Sequence, residues 1–176
     1  MEFNIKDRIK PDAKILLIKL RSIGDVVYNT AVYSPIKKHL PNARLTVLVE
    51  LASYGIVKNH PDVDEVLCFK KGSFFEQVKF YLKLISNRYD VAIDMHEGTR
   101  GAVMCFLSFA RFKIGGKFAR RSFLYNTKIN FSDLKPTVPL DYQVALISKL
   151  GVPFKNPQPI IHVSDEWRKS AHDLLI

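Results

Sequence analysis

Apolar positions along this chain come in two kinds of pattern, and the first clean signal is the nearly solid run Ile15 to Leu20 within KILLIKLRSIGD. A short apolar run bounded by polar residues reads as a strand buried on both faces. Strands are predicted at 14–20, 44–49, 65–69, 90–94 and 112–115. Between them helical patterns fall at about 24–40, 51–58, 73–87 and 99–110. In the third of these, Phe74, Val78, Tyr81, Leu82 and Ile85 share one face of a 3.6-residue period, so that stripe is predicted to be core. A further helix over about 138–150 carries Leu140, Val144 and Ile147 on one side and stops at Gly151, a residue suited to the position after a helix end. The proline- and asparagine-rich GVPFKNPQPIIHV follows, and Ser164 then caps a last helix whose pattern runs to Ile176.

Strand and helix alternate throughout, which predicts repeated βαβ units: an α/β fold with an open, doubly wound parallel sheet of Rossmann-like type. In such sheets ligands bind at the carboxyl ends of the strands. The turn Arg21-Ser22-Ile23-Gly24-Asp25 closes the first strand there. Gly24 can adopt a positive φ there, and the exposed amides of the helix start favour an anion. Asp25 is the lone acid of the turn. A carboxylate in that place can cap the helix or act as a general base, and its local sequence leaves both open.

Other candidate chemistry lies at the ends of the predicted strands. Met95-His96-Glu97-Gly98-Thr99-Arg100 follows the fourth strand, where His96 and Arg100 can bind sugar hydroxyls or phosphate and Thr99 can cap the next helix. Glu50 closes the second strand on the same edge. After the fifth, Gly115 and Gly116 are expected to form a flexible turn, and Lys117, Arg120 and Arg121 place three cations within five residues. Arginine forks match phosphate oxygens in pairs, so the cluster suits an acidic ligand, although basic loops are also commonly just solvated.

Composition adds limits. The chain has 176 residues, 47% of them hydrophobic, enough for one domain with a sizeable core. No stretch approaches the ~20 apolar residues of a membrane span, and the start MEFNIKDRIK lacks a leader-like apolar core, so a cytoplasmic location is expected. Cys68 and Cys105 stand in apolar segments without ligand spacing and are expected to be buried thiols, with no metal site. The net charge of +10, from 27 basic and 17 acidic residues, points to anionic partners. A dinucleotide-binding domain would use Glu50 on a ribose, but its fingerprint needs three glycines and this turn has only Gly24. A nucleic-acid-binding module accords with the charge and with FKKGSFF and FARRSF, but no recognised motif accompanies them.

The string KILLIKLRSIGDVVYNTAVYSPIKKHLPNARLTVLVE, the later PDVDEV and YDVAID, and KIGGKFARRSFLYN together resemble the N-terminal half of the heptosyltransferases of glycosyltransferase family 9. That family transfers heptose from ADP-heptose to lipopolysaccharide on a two-domain GT-B plan. The resemblance implies that Asp25, in the turn of form S-x-G-D, takes the proton of the acceptor hydroxyl in an inverting transfer, with no cofactor. It further implies that Ser22, Gly24, Glu50, His96, Thr99, Arg100, Lys117, Arg120 and Arg121 form the acceptor side. The acceptor would be phosphorylated inner-core lipopolysaccharide, reached by peripheral contact at the cytoplasmic face of the inner membrane, and no nucleic acid is expected. Residues 1–160 would be the acceptor-side domain, 161–176 the start of a connection, and ADP-heptose would be held by a second domain absent from this sequence. The family often has a proline near the second turn of the first helix; Ala31 stands there, and Pro35 comes one turn later.

Overall fold

The computed structural model describes residues 4–131 and 138–174. The predicted helix end at Ile176 lies outside the described residues.

Six parallel strands make one sheet in the order β3-β2-β1-β4-β5-β6. They are β1 (Lys14–Ile18), β2 (Arg44–Glu50), β3 (Glu65–Phe69), β4 (Val91–Asp94), β5 (Phe112–Gly116) and β6 (Thr127–Ile129). Ile15 to Ile18 are buried on both faces, as a solid apolar run requires. Register stacks Leu17 beside Val47 on one side and Ile93 on the other, so the central strands share one apolar level. The edge strand β6 has no counterpart among the predicted strands. Its three residues, Thr-Lys-Ile, carry too little pattern to be read, and pairing with Ile114 to Gly116 of β5 makes them a strand.

Two helical layers cover the sheet. One holds α1 (Ile23–Asn29), α2 (Tyr33–His39), α3 (Tyr54–Val57) and α6 (Pro139–Ser148), packed on Leu17, Val47 and Ile93. The other holds α4 (Phe74–Ser86) and α5 (Thr99–Leu107), packed on Leu16, Ile18 and Ala92. The helix predicted at 24–40 is helical from Ile23 to His39, with α1 and α2 joined by one turn of tighter 3-10 helix at Thr30–Val32. Pro35 falls in the first turn of α2, where its missing N–H costs little.

The predicted face of α4 is a correction. Phe74, Val78 and Leu82 point to solvent, whereas Leu84 is buried and Phe80 and Tyr81 pack against the core beside it. Of the predicted stripe, Tyr81 packs on the core and Ile85 is half-buried, so periodicity placed the stripe partly off the face that the sheet covers. Gly115 and Gly116 are also not a turn: both lie within β5 and are buried. A Cβ on Gly115 would run into the Tyr125 ring, and one on Gly116 into the Glu97 carboxylate.

Gly151, just past α6, takes φ +87° as a helix-ending glycine should. α7 (Asp165–Asp173) is capped by Ser164, whose Oγ accepts the Trp167 N–H at 3.3 Å. The Trp167 ring lies on Gly55 and under Lys58, which seats α7 on α3. Cys105 is buried as expected, but Cys68 is only half-buried because β3 is the outer strand. No helix among the described residues is long and apolar enough to cross a membrane.

Candidate functional site

The chain order reverses between β1 and β4, and the crevice outside their carboxyl ends is where a doubly wound sheet binds ligands. Lys19 closes that crevice from below. Although almost fully buried, its ammonium donates to the Met95 carbonyl at 3.2 Å and lies 3.3 Å from Asp25 Oδ2. The same oxygen accepts the Ser22 N–H at 3.3 Å. Asp25 is therefore not the cap of α1. Ser22 holds the N-cap position and Asp25 the third helical residue, from which its carboxylate reaches back. Both contacts fall on Oδ2, and the side chain stays about one-third exposed at 31%. Helix support and the Lys19 ion pair thus use one oxygen of the carboxylate.

Gly24 does not take a positive φ; among the described glycines only Gly151 does. It belongs to the first turn of α1, and a Cβ there would meet nothing within 4 Å. Its contribution is open space above the helix start, with Ser22 beside it exposed.

From inside, α1 is pinned by a buried polar chain. Tyr33 donates to Asn29 Oδ1 at 2.9 Å, Asn29 donates to Gln143 Oε1 at 2.6 Å, and Gln143 donates to the Asp25 carbonyl at 3.1 Å. All three side chains are fully buried. Sequence reasoning missed this relay because Gln143 lies more than 110 positions from both partners, and only the i, i+4 pair Asn29/Tyr33 left a trace.

Asp94 organises the loop after β4. Its Oδ1 accepts the N–H groups of His96 and Glu97 at 2.9 and 3.2 Å, and Oδ2 accepts the Tyr125 hydroxyl at 2.7 Å. Burial pushes its carboxyl up to about 6, against the pull of those three bonds. Glu97 takes φ +55° and turns inward toward the Tyr142 hydroxyl, and burial raises its carboxyl as well. Gly101 leaves room for Asp94, since a Cβ there would lie 2.5 Å from Oδ1. In the sequence Asp94 is only the last residue of a predicted strand, and its hold on the loop could not be read there.

The loop delivers His96 to a groove of about 480 Å³ lined by Arg21, Tyr81, His96, Gly98, Thr99 and Arg100, among others. Burial, then the nearby Lys19 and Arg21 cations, lower the His96 pKa and favour the neutral ring. Gly98, not Thr99, is the N-cap of α5; Thr99 is its first residue and faces the groove. Arg100 and Glu50, both read as site residues, are paired with each other: Nη1 donates to Oε1 at 2.7 Å, with the guanidinium 5.3 Å from the Phe69 ring. Lys117, Arg120 and Arg121 are exposed on the neighbouring loop and do not line the groove. Among the described residues no three His, Cys, Asp or Glu side chains are grouped as a metal ion would require.

Fold and crevice define an open, doubly wound parallel α/β domain with its groove at the strands' carboxyl ends. No family model matches the chain. It is similar to Lipopolysaccharide heptosyltransferase 1 of Campylobacter coli, 28% identical over 123 residues covering 66% of this chain and 36% of that protein. It is also similar to the lipopolysaccharide core heptosyltransferase OpsX of Haemophilus influenzae, 23% identical over 92% of this chain and 47% of that protein. Among solved structures, a glycosyl transferase of family 9 from Veillonella parvula superposes with TM-score 0.76 at 20% identity, over 98% of this chain and 49% of that one. ADP-heptose lipopolysaccharide heptosyltransferase II of Escherichia coli superposes with TM-score 0.72 at 18% identity, over 92% of this chain and 50% of that one. The chain thus spans no more than about half the length of these relatives. The resemblance read from the sequence is borne out: the curated relatives are lipopolysaccharide heptosyltransferases, and the fold is that of one half of a family 9 glycosyltransferase.

Proposed function

We propose that this chain is the acceptor-side half of an inverting heptosyltransferase and that Asp25 is its catalytic base. The observation that carries the reading is the Asp25 carboxylate, fixed at the sheet's switch point through one oxygen by Lys19 and the Ser22 amide. In the proposed step an acceptor hydroxyl oxygen bonds to the anomeric carbon of ADP-heptose as the bond from that carbon to the ADP oxygen breaks. The hydroxyl proton passes to Asp25, and ADP leaves with the bonding electrons. A single displacement inverts the anomeric centre and needs no second carboxylate nucleophile.

His96, Thr99 and Arg21 supply the polar wall of the acceptor groove, with the neutral His96 ring suited to sugar hydroxyls. Arg100 can serve phosphate only by sharing itself with Glu50. Lys117, Arg120 and Arg121 form an outer cationic rim for a phosphorylated inner core, and Ser22 and Gly24 leave the helix start open for an oxyanion. One structural neighbour is described with ADP-2-deoxy-2-fluoro heptose. We assign the donor to a second half like that of the longer relatives, with residues 161–176 leading toward it. These 176 residues by themselves are then expected to hold acceptor and transfer no sugar.

The test is Asp25→Asn in a protein that joins this chain to a donor-binding half. Asparagine can still accept the Ser22 N–H, so fold and acceptor binding are expected to persist while turnover falls roughly a hundredfold to ten-thousandfold. Near-normal turnover would reduce Asp25 to helix support.

A further inference from the structure

The layer formed by α4, α5 and the turn at Ser122–Leu124, with the loops that adjoin them, carries an exposed aromatic and basic surface that extends well beyond the groove. Six phenylalanines are exposed among the described residues: Phe74, Phe75, Phe106 and Phe123 on these elements, and Phe109 and Phe118 on the loops that adjoin them. Phe75 is 82% exposed and Phe118 75%. Exposed rings gathered on one side of a domain mark a contact surface.

Charge is concentrated in the same place. Segments 70–88 and 106–126 hold ten of the chain's 27 lysines and arginines but only one of its 17 acids. That acid, Glu76, is turned back onto its own helix cap, where it accepts the Ser73 N–H at 2.7 Å. On α4, Phe74, Phe75, Val78 and Leu82 fall on one arc roughly 100° wide, with Lys79 along its border and the buried Leu84 on the other side.

Two aromatic and basic tips, Lys70 to Phe75 and Lys117 to Phe123, stand at the carboxyl edge of the sheet. α5, whose first turn lines the groove, is in contact with both α4 and the Ser122–Leu124 turn. The groove and both tips therefore share the carboxyl edge of the sheet.

We propose that this layer is a docking surface for an anionic lipid bilayer, with the phenyl rings at the headgroup boundary and the cations on lipid phosphates. Aromatic rings favour that boundary, and juxtaposed lysines and arginines are drawn to an anionic leaflet. A protein partner would have to present a matching apolar and acidic face, whereas the bilayer offers both everywhere along its surface. Docking in this way turns the groove toward the membrane. Only the further step, that the acceptor's lipid anchor lies in that same membrane, rests on the heptosyltransferase reading.

Flotation of the chain with vesicles of phosphatidylcholine alone, and with vesicles that also contain phosphatidylglycerol, tests the proposal. Capture is expected on the anionic vesicles only. Two variants, Phe74→Ser with Phe75→Ser and Lys70→Glu with Lys71→Glu, are each expected to weaken it tenfold or more while keeping the parent's near-ultraviolet circular dichroism. Should the first pair disturb the fold, Phe118→Ser with Phe123→Ser makes the same test. Three results would overturn the proposal: no capture of the folded chain, equal capture on neutral vesicles, or capture that neither pair changes. A concentration-dependent dimer removed by the serine pair, without vesicle capture, would also overturn it and assign the face to a second copy. Vesicle capture involves no turnover, so it can fail while Asp25→Asn behaves as proposed, or hold while that variant stays active.

Discussion

Asp94 has no solvent exposure, yet two of the residues it holds, His96 and Glu97, belong to the loop that shapes the groove. Its raised carboxyl sets a sign for stability against pH. The folded state holds this proton up to about pH 6, while the unfolded chain releases it near the ordinary carboxylate value of 3.8. The folded state therefore binds more protons between those values, and the stability linked to Asp94 is complete at the acid end and lost as pH rises through about 6. Asp94→Asn keeps an oxygen for the two amides and should flatten this part of the profile. Urea unfolding from pH 4 to 7 is expected to show the parent losing up to about 3 kcal/mol relative to the variant over that interval. Parallel profiles would show that Asp94 stays ionised in the fold. Asp25 offered a signal that Asp94 did not, because a lone acid in a polar turn is visible in one dimension. An acid at the end of an apolar strand looks like any strand end until Tyr125 and two amides close around it.

At the scale of elements, α4 shows what periodicity does and does not carry. Its bounds were legible from the length of its apolar pattern, and the structure adds a start fixed by reciprocal cap contacts between Ser73 and Glu76. Its buried face was not, because apolar residues occupy two arcs and the sheet can cover only one. Leu84→Ala is expected to cost about 2 to 5 kcal/mol in denaturant unfolding, as deletion of a fully buried leucine does. Leu82→Ala, at 61% exposure, should stay within about 0.5 kcal/mol. Equal costs would return Leu82 to the core. The same limit applies to Gly115 and Gly116, which look like turn residues in sequence and are strand residues in the fold. What requires glycine there is the Tyr125 ring and the Glu97 carboxylate, contributed by other parts of the chain.

Across the whole molecule, sheet order brings the ends of β1 and β4 together and so unites Lys19 and Asp25 with the loop from Met95 to Gly98. It leaves Lys117, Arg120 and Arg121 on a rim rather than in the groove, where their effect is long-ranged and screened by salt. Replacing Arg120 and Arg121 by alanine is therefore expected to weaken binding of a phosphorylated core acceptor roughly fivefold to tenfold at low salt, and a dephosphorylated one hardly at all. Titration calorimetry at two ionic strengths reads the difference. Equal losses for both acceptors, or a loss that salt does not reduce, would count against an electrostatic rim.

The sequence by itself determined the parallel α/β class, the five longer strands, the turn that presents Asp25 and the cationic loop. Each of these is written in local pattern: a solid apolar run, a helical period, a cluster of like charges. Tertiary structure alone decided that Ser22 caps α1 while Asp25 is tied to Lys19, that Arg100 is bound to Glu50, that Asp94 carries the His96 loop, and which arc of α4 meets the sheet. Each of those depends on what lies opposite a side chain across a strand pair or a helix contact, often dozens of residues away. Local pattern can show that a group is polar or apolar, but only packing supplies the partner that makes a carboxylate a support, a neutral acid or a base.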